Sequence, residues 1–547
     1  MSAQHLAARA GVDILRRGGN AIDAAVAAGY AEAVVNPCCG NIGGGGFLIA
    51  HFPGGRDIFL NFREMAPAAA TRDMYLDGAG QRVPGASVAG WKSVAVPGTV
   101  LGLDTALQKY GSMPREMVMA EAIRLAREGF ILTTADADIL ARGTPLLRQD
   151  ATAARIFLHS DGSPLLAGER LRQTELAATL QAIANGGPDA FYKDHVPNAV
   201  ASASGMGGGI VTAADFAAYH LTESTPLTCI YRGHTVMSAP PPSSGGTALC
   251  ETLNILEGYD LKGMGFHSAG AVHVMTEAFR RAFYDRNTLL GDPAFVPVPL
   301  TRLLSKDYAV AQRAQISDRA TPSASLRSLV VPSGEKPETT HFSVMDKMGG
   351  AVSVTYTING GFGAGVVAGD TGFLLNDEMD DFTTQSGAPN QYGLVQAEPN
   401  IIAPGKRPLS SMAPTIVLRD GMVEMVLGSP GGPTIITSVV QTILNMIDFG
   451  MDAQEAVDAP RVHAQWLPDV LYAEPFALSP DTRALLEQMG HRIQERKPWG
   501  AVALIAAGIA GNKSAPAPDS VASHATLQNA YYGANDSRRA AGIALAP

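Results

Sequence analysis

The tightest constraint on this chain is a junction at residues 331–345, where a turn-rich segment runs into a strand. Val331-Pro332-Ser333-Gly334-Glu335-Lys336-Pro337 holds two prolines and a glycine, the composition of an exposed loop. Thr340 to Met345 then alternates as a strand does, Lys347-Met348-Gly349-Gly350 reads as a turn, and Ala351 to Ile358 reads as a second strand. Thr339 therefore stands at the head of a hairpin, behind a loop that is open to cleavage. If the bond between Glu338 and Thr339 breaks, Thr339 gains a free α-amino group beside its own hydroxyl. An α-amine titrates near pH ~8, so its neutral form takes the hydroxyl's proton at ordinary pH. One residue then serves as nucleophile and base. Thr-Thr at a strand head is also ordinary β-propensity, and the motifs around it decide between the two readings.

Those motifs stand in a definite order. Asn41-Ile42-Gly43-Gly44-Gly45-Gly46, Phe62-Arg63-Glu64-Met65-Ala66-Pro67 and Pro240-Pro241-Pro242-Ser243-Ser244-Gly245-Gly246 precede the hairpin. Thr355-Tyr356-Thr357-Ile358-Asn359, Leu375-Asn376-Asp377-Glu378-Met379-Asp380-Asp381-Phe382, Arg407-Pro408-Leu409-Ser410-Ser411-Met412 and Gly428-Ser429-Pro430-Gly431-Gly432 follow. In wording and order they resemble the γ-glutamyltranspeptidase family of self-cleaving N-terminal nucleophile hydrolases. The resemblance runs from about Gly11 to about Trp466, with an echo from Tyr532 to Arg539.

The resemblance implies an α+β fold, a four-layer αββα sandwich, and a precursor that cuts itself into a large subunit, residues 1–338, and a small one, residues 339–547. It implies γ-glutamyltransferase and glutathione hydrolase activity without a cofactor. The partners are small molecules: glutathione, other γ-glutamyl compounds, and amino acid or peptide acceptors. A cephalosporin or glutaryl acylase of the same fold is the alternative enzyme, and an uncleaved binding homologue is the alternative outside catalysis. Acylase substrates lack the α-ammonium that Asp381 would meet, and every position carried over is present, which disfavours both.

By the same resemblance Thr339 is the nucleophile and Thr357 orients its hydroxyl, since a nucleophile that rotates away loses rate. Gly431 and Gly432 offer unshielded backbone N–H groups to the oxyanion of a tetrahedral intermediate. For the glutamyl head group, Arg63 can fork onto the α-carboxylate with Ser410 and Ser411 adding hydroxyls. Asp381 can accept from the α-ammonium, assisted by Asn359 and Glu378; Glu378 and Asp381 lie one turn apart if that segment is helical. Residues 382–406 join the acidic segment to the serine pair and are expected to form a lid, with Tyr392, Leu394 and Val395 beneath it and the Tyr392 ring near Thr339. Gly43–Gly46 lacks the spacing of a dinucleotide loop and is expected to serve tight backbone packing.

The sequence predicts helices at residues 6–17, 21–35, 175–184, 271–290, 435–447 and 480–489. It predicts strands at 47–50 and 57–61, paired with each other, and at 340–345, 352–358, 415–419 and 422–427. Arg16-Arg17 and Arg280-Arg281 read as solvated helix faces. Residues 512–526, rich in Ala, Ser and Pro, read as an insertion and carry no assigned role. A net charge of −10 argues against nucleic acid and anionic membrane surfaces, and no apolar run approaches the ~20 residues of a bilayer span. The four cysteines, Cys38, Cys39, Cys229 and Cys250, match no zinc pattern, and adjacent cysteines make a poor disulfide, so each is read as buried and inert. No residue array suggests a metal. The resemblance implies a periplasmic or secreted enzyme; no signal peptide precedes the first helix, which a late start, a trimmed chain or a cytoplasmic member would each produce.

Overall fold

The computed structural model describes residues 1–326, 339–508 and 530–547. The loop at 331–337, Glu338 of the expected cleavage bond and the stretch 512–526 lie outside the described residues. The chain builds helix–sheet–sheet–helix layers, the sandwich expected. α1 (His5–Arg16) and α2 (Ala21–Val35) open the fold. Between them Gly18 takes a left-handed φ of 94°, and Asn20 and Asp23 cap α2 reciprocally, so the break between the helices predicted at 6–17 and 21–35 is in place. With α3 (Thr99–Tyr110), α4 (Arg115–Glu128) and α5 (Thr174–Gly186) these helices cover one face of the first sheet.

That sheet is antiparallel and contains β1 (Gly45–Phe52), β2 (Arg56–Phe62), β3 (Thr222–Ser224), β6 (Thr340–Met345) and β7 (Ala351–Thr357), in the order β3-β2-β1-β7-β6. The second sheet contains β4 (Leu227–Tyr231), β5 (His234–Ser238), β8 (Thr415–Arg419), β9 (Met422–Leu427), β10 (Ala503–Ala507) and β11 (Tyr531–Asn535), in the order β11-β10-β9-β8-β5-β4. α6 (Gly245–Leu256), α7 (Ala269–Leu289) and α8 (Thr434–Ile447) pack with its outer face. The expected strands and helices all form, within about two residues at each end. Among the described residues, no helix is long and apolar enough to cross a membrane.

The glycine run sets the centre of the first sheet. Gly45 and Gly46 pair with Thr357 and Tyr356 of β7. A Cβ on Gly44 would overlap the Thr357 carbonyl oxygen, one on Gly46 the Thr355 carbonyl, and one on Gly43 the Leu374 carbonyl. Only glycine lets three backbones approach this closely, as the sequence suggested. Alternation then sorts the hairpin. Phe342, Val344, Val352, Val354 and Tyr356 enter the core under the helices. His341, Ser343, Ser353 and Thr355 face the second sheet instead and bond to one another or to its backbone. Ser343 Oγ donates to Ala503 O at 3.0 Å, and Ser353 Oγ donates to Leu427 O at 3.1 Å. Sheet-to-sheet contact near Thr339 is therefore a polar seam whose groups are satisfied.

Two expectations fail here. Arg280 and Arg281 are buried rather than solvated, because both faces of α7 are covered; Arg281 pairs with Glu277 at 2.5 Å and Arg280 with Asp469 at 2.6 Å. Arg16 and Arg17 are exposed, as expected. The cysteines are buried, but they are bonded. Cys229 on β4 and Cys250 on α6 form a disulfide across 5.9 Å between Cα atoms, which the packing of α6 on the sheet provides. A turn directly after α2 brings the adjacent Cys38 and Cys39 into a second one, against the sequence reading.

His341 is wholly buried in the seam, with Nδ1 2.8 Å from Thr355 Oγ1 and Nε2 3.0 Å from Ser343 Oγ. Burial holds it neutral, down to about 3 from an ordinary 6.5. The folded pKa lies below the unfolded one, so its contribution is complete above pH 6.5 and is lost as pH falls toward 3. Buried His267, His463 and His491, each lowered to about 4, act in the same direction. Thermal melts from pH 7.5 to 4 should show Tm falling with acid, and His341→Gln should make that fall shallower. A slope unchanged in the variant would mean that His341 does not titrate on unfolding.

Candidate active site

The hairpin delivers Thr339 and Thr357 to the same end of the first sheet. Thr339 precedes β6, Thr357 closes β7, and their hydroxyl oxygens lie 3.3 Å apart. Thr357 Oγ1 also accepts from the Asn359 backbone N–H at 2.9 Å, which fixes its rotamer. Asn359 takes a left-handed φ of 74°, a conformation Asn tolerates better than most residues. Its side chain donates to Asp377 O at 3.1 Å and accepts from the Tyr392 hydroxyl at 2.7 Å.

Arg63 follows β2 and is wholly buried. Its guanidinium donates to Asp381 Oδ2 at 2.5 Å, to Glu378, to Glu64 Oε2 at 3.4 Å and to Pro408 O at 3.1 Å. The acidic segment Glu378–Asp381 is a short 3-10 helix, so its spacing does bring Glu378 and Asp381 to one side. Burial raises both carboxyls, and the facing Arg63 pulls each back; Glu64 is pushed up to about 7 for the same reason. On Arg63 burial opposes the charge, and the three carboxylates outweigh it. The fork expected to meet a substrate carboxylate is thus occupied by the site's own acids.

Ser410 and Ser411 lie opposite, in a segment bridged to Ser243. Gly431 and Gly432, at φ 136° and 52°, stand at the N-terminus of α8, where unpaired N–H groups and the helix dipole favour negative charge. Arg63, Thr339, Thr357, Asn359, Glu378, Asp381, Tyr392, Ser410, Ser411 and Gly432 all line one cavity. Gly431, which precedes Gly432 in the chain, does not line it. Residues 382–406 turn Tyr392, Leu394 and Val395 inward onto an apolar cluster with Phe283 and Trp466, the underside expected of the lid. Among the described residues no group of His, Cys, Asp and Glu could hold a metal ion.

The profile of the gamma-glutamyltranspeptidase family matches residues 7–545. The chain belongs to that family. It is 51% identical to the glutathione hydrolase proenzyme of Pseudomonas sp. strain A14 over 100% of this chain and 93% of that protein. To the glutathione hydrolase proenzyme of Escherichia coli K12 it is 48% identical over 92% of this chain and 87% of that protein. Among solved structures, cephalosporin acylase from Bacillus halodurans superposes with a TM-score of 0.83 at 27% identity, covering 98% of this chain and 93% of that one. The γ-glutamyltranspeptidase fold is therefore shared with an acylase, and the sequence is more similar to these two glutathione hydrolase proenzymes than to that acylase.

Sequence reasoning missed several residues of this γ-glutamyltranspeptidase site. Arg286 donates to Ser411, Gln396 to the Asp381 carbonyl, and Ser244 to the Ser410 carbonyl. Arg286 had a signal: it follows Phe279, Ala282 and Phe283 at the spacing of a core-facing helical stripe, where a charge needs a reason. Thr357→Val should lower kcat about 10- to 100-fold with a smaller change in KM, because the Thr339 hydroxyl loses a partner while the other groups of the cavity stay in place. Thr357→Ser should retain most of the rate. Steady-state kinetics on a chromogenic γ-glutamyl anilide decide it; a Val variant at wild-type kcat would remove Thr357 from the chemistry.

Proposed function

We propose that this chain is a γ-glutamyltransferase and glutathione hydrolase whose nucleophile is Thr339, freed by cleavage after Glu338. The observation that carries this reading is the convergence of Thr339, Arg63, Asp381 and the serine pair on one cavity. Cleavage divides the chain into residues 1–338 and 339–547, which stay joined because strands from both form each sheet. The neutral α-amine of Thr339 takes the proton from its Oγ as that oxygen attacks the γ-carbonyl carbon. The N–H groups of Gly431 and Gly432 hold the oxyanion. The C–N bond breaks, the α-ammonium returns the proton to the departing amine, and a γ-glutamyl ester remains. Water, or the amino group of an amino acid or peptide, resolves that ester by the same steps reversed.

Charge balance favours a zwitterionic head group. Between Arg63 and Asp381 an α-amino acid replaces one ion pair by two, guanidinium with carboxylate and ammonium with Asp381, at no change in net charge. A glutaryl group would bring the carboxylate alone and leave Asp381 buried without a cation, typically a cost of about 3–5 kcal/mol. This distinguishes the chain from the acylase reading. The lid at residues 382–406 closes over the site through Tyr392, which bonds Asn359. The two disulfides suit an oxidising compartment, which supports a periplasmic or secreted location.

Purified protein should run as two bands on a denaturing gel, with Thr339 at the N-terminus of the smaller by mass spectrometry. Thr339→Ala should remain one chain and be inactive; clean cleavage in that variant would remove Thr339 as the self-cutting group. Asp381→Asn should lose γ-glutamyl hydrolysis by about 100-fold or more while sparing glutaryl amides. Equal loss on both would mean that Asp381 does not face the ammonium. Shortening the lid should admit bulkier γ-glutamyl donors and shift the partition between water and amine acceptors, as product analysis would show; an unchanged donor range and partition would refute the lid.

A further inference from the structure

Arg286 sits on the buried stripe of α7, 1% exposed, and every hydrogen bond it makes is to a neutral oxygen. Nε donates to Ser244 Oγ at 3.0 Å, Nη1 to Asn287 Oδ1 at 2.8 Å and to Gln396 Oε1 at 2.9 Å, and Nη2 to Ser411 Oγ at 3.1 Å. Among the described residues no carboxylate lies within ion-pair distance of it, whereas Arg63 meets three. A buried guanidinium held only by neutral acceptors is costly unless its charge is used.

We propose that Arg286 is a positioning residue for the substrate's α-carboxylate, acting through Ser411 and Ser410. The inference rests on the reading of that serine pair as carboxylate ligands. Nη2 occupies an acceptor position of Ser411 Oγ, so the hydroxyl's own hydrogen points away from the guanidinium. Ser411 lines the cavity, and its hydrogen is thereby directed to where the carboxylate arrives. Ser410 is set one step further on. Ser244 Oγ accepts from Arg286 and donates to Ser410 O at 2.5 Å, while Ser244 N–H reaches the same carbonyl at 2.8 Å and Ser410 N–H donates to Pro242 O at 2.9 Å. The Pro240–Gly246 motif, which the chemistry above leaves unused, is thus the clamp between Arg286 and the serine pair.

The guanidinium also reaches the other half of the head-group site. Gln396 accepts from Nη1 and donates to the Asp381 carbonyl at 2.9 Å. One planar group therefore fixes the spacing between the serines and the acidic segment. Its charge reinforces the side where a carboxylate is required. Burial lowers Arg286 to about 10, with Asp381 favouring its charge and Arg63 opposing it, so it remains cationic at neutral pH.

The test compares γ-glutamyl p-nitroanilide with its α-carboxamide in Arg286→Gln, Arg286→Lys, Ser411→Ala and the Arg286→Gln/Ser411→Ala double variant, each checked for self-cleavage and Tm. Arg286→Gln should raise KM for the carboxylate donor about 10- to 100-fold with kcat within about 3-fold, and should erase most of the preference for carboxylate over carboxamide. Arg286→Lys keeps the charge but cannot span Ser244, Gln396 and Ser411, so it should also raise KM; it serves as the assay should the Gln variant fail to mature. The double variant should be no worse than the more impaired single one. KM and donor preference within about 2-fold in the Lys and Gln variants, or losses that multiply in the double variant, would overturn the role of Arg286. An unaffected Ser411→Ala would overturn it together with the serine-pair reading, whereas a damaged Ser411→Ala beside a normal Arg286→Gln would overturn Arg286 alone.

Discussion

Arg63 is held out of water between Glu378 and Asp381, and the rest of the site is arranged around that contact. It joins the end of β2 to a segment more than three hundred residues later. Its backbone is held as firmly as its side chain, since the Arg63 carbonyl accepts from the Tyr219 hydroxyl at 2.9 Å and from Arg407. Buried charges are tolerated only when their partners stay in place. The acidic 3-10 helix, Arg407 and the segment leading to Ser410 are therefore tied to one another by the need to keep Arg63 paired. On the proposed reading, a zwitterion entering between Arg63 and Asp381 gives each a new partner of opposite charge, carboxylate for the guanidinium and ammonium for Asp381.

A second constraint places Thr339 relative to that cluster. The glycine run brings β1 against β7 with no side chain between, and β7 carries Thr357 and Asn359 to the cavity. The hydroxyl-rich seam then seats β6 and β7 on the second sheet, Ser343 Oγ donating to Ala503 O and Ser353 Oγ to Leu427 O, leaving Thr339 little freedom to drift. Positioning of this kind matters because a nucleophile displaced by an ångström loses much of its rate. Rigid sheet on one side and an ion cluster on the other define the distance a γ-glutamyl group must span.

Much of this was legible in the residues. The hairpin behind residue 339, the glycine run and the strands at 415–419 and 422–427 carry strong local patterns and form as read. Thr339, Thr357, Asn359, Glu378, Asp381, Ser410 and Ser411 were reached through motif order, since none has a local signature of its own. What misled was context. Arg280-Arg281 looks like a solvated pair although Glu277 stands one helical turn away, because nothing nearby in sequence announces that Asp469 and the packed layers will cover it. Adjacent cysteines look unsuited to bonding until a turn after α2 orients them. Arg286 shows itself in sequence only by its place on an apolar stripe.

Local order, then, was determined by the sequence itself: glycine where backbones must touch, alternation where a strand has a core face, capping residues where a helix begins, and a hydroxyl residue at a hairpin's head. These depend on neighbours within a turn or two, so periodicity and residue chemistry suffice to see them. The long-range pairing of polar groups was decided only by the tertiary structure. Arg63 with Asp381, Arg286 with Ser411 and the Tyr392 hydroxyl with Asn359 join residues 33 to 318 positions apart. Burial turns such polar groups from solvated bystanders into obligatory partners, and burial is a property of the packed layers rather than of any stretch of chain.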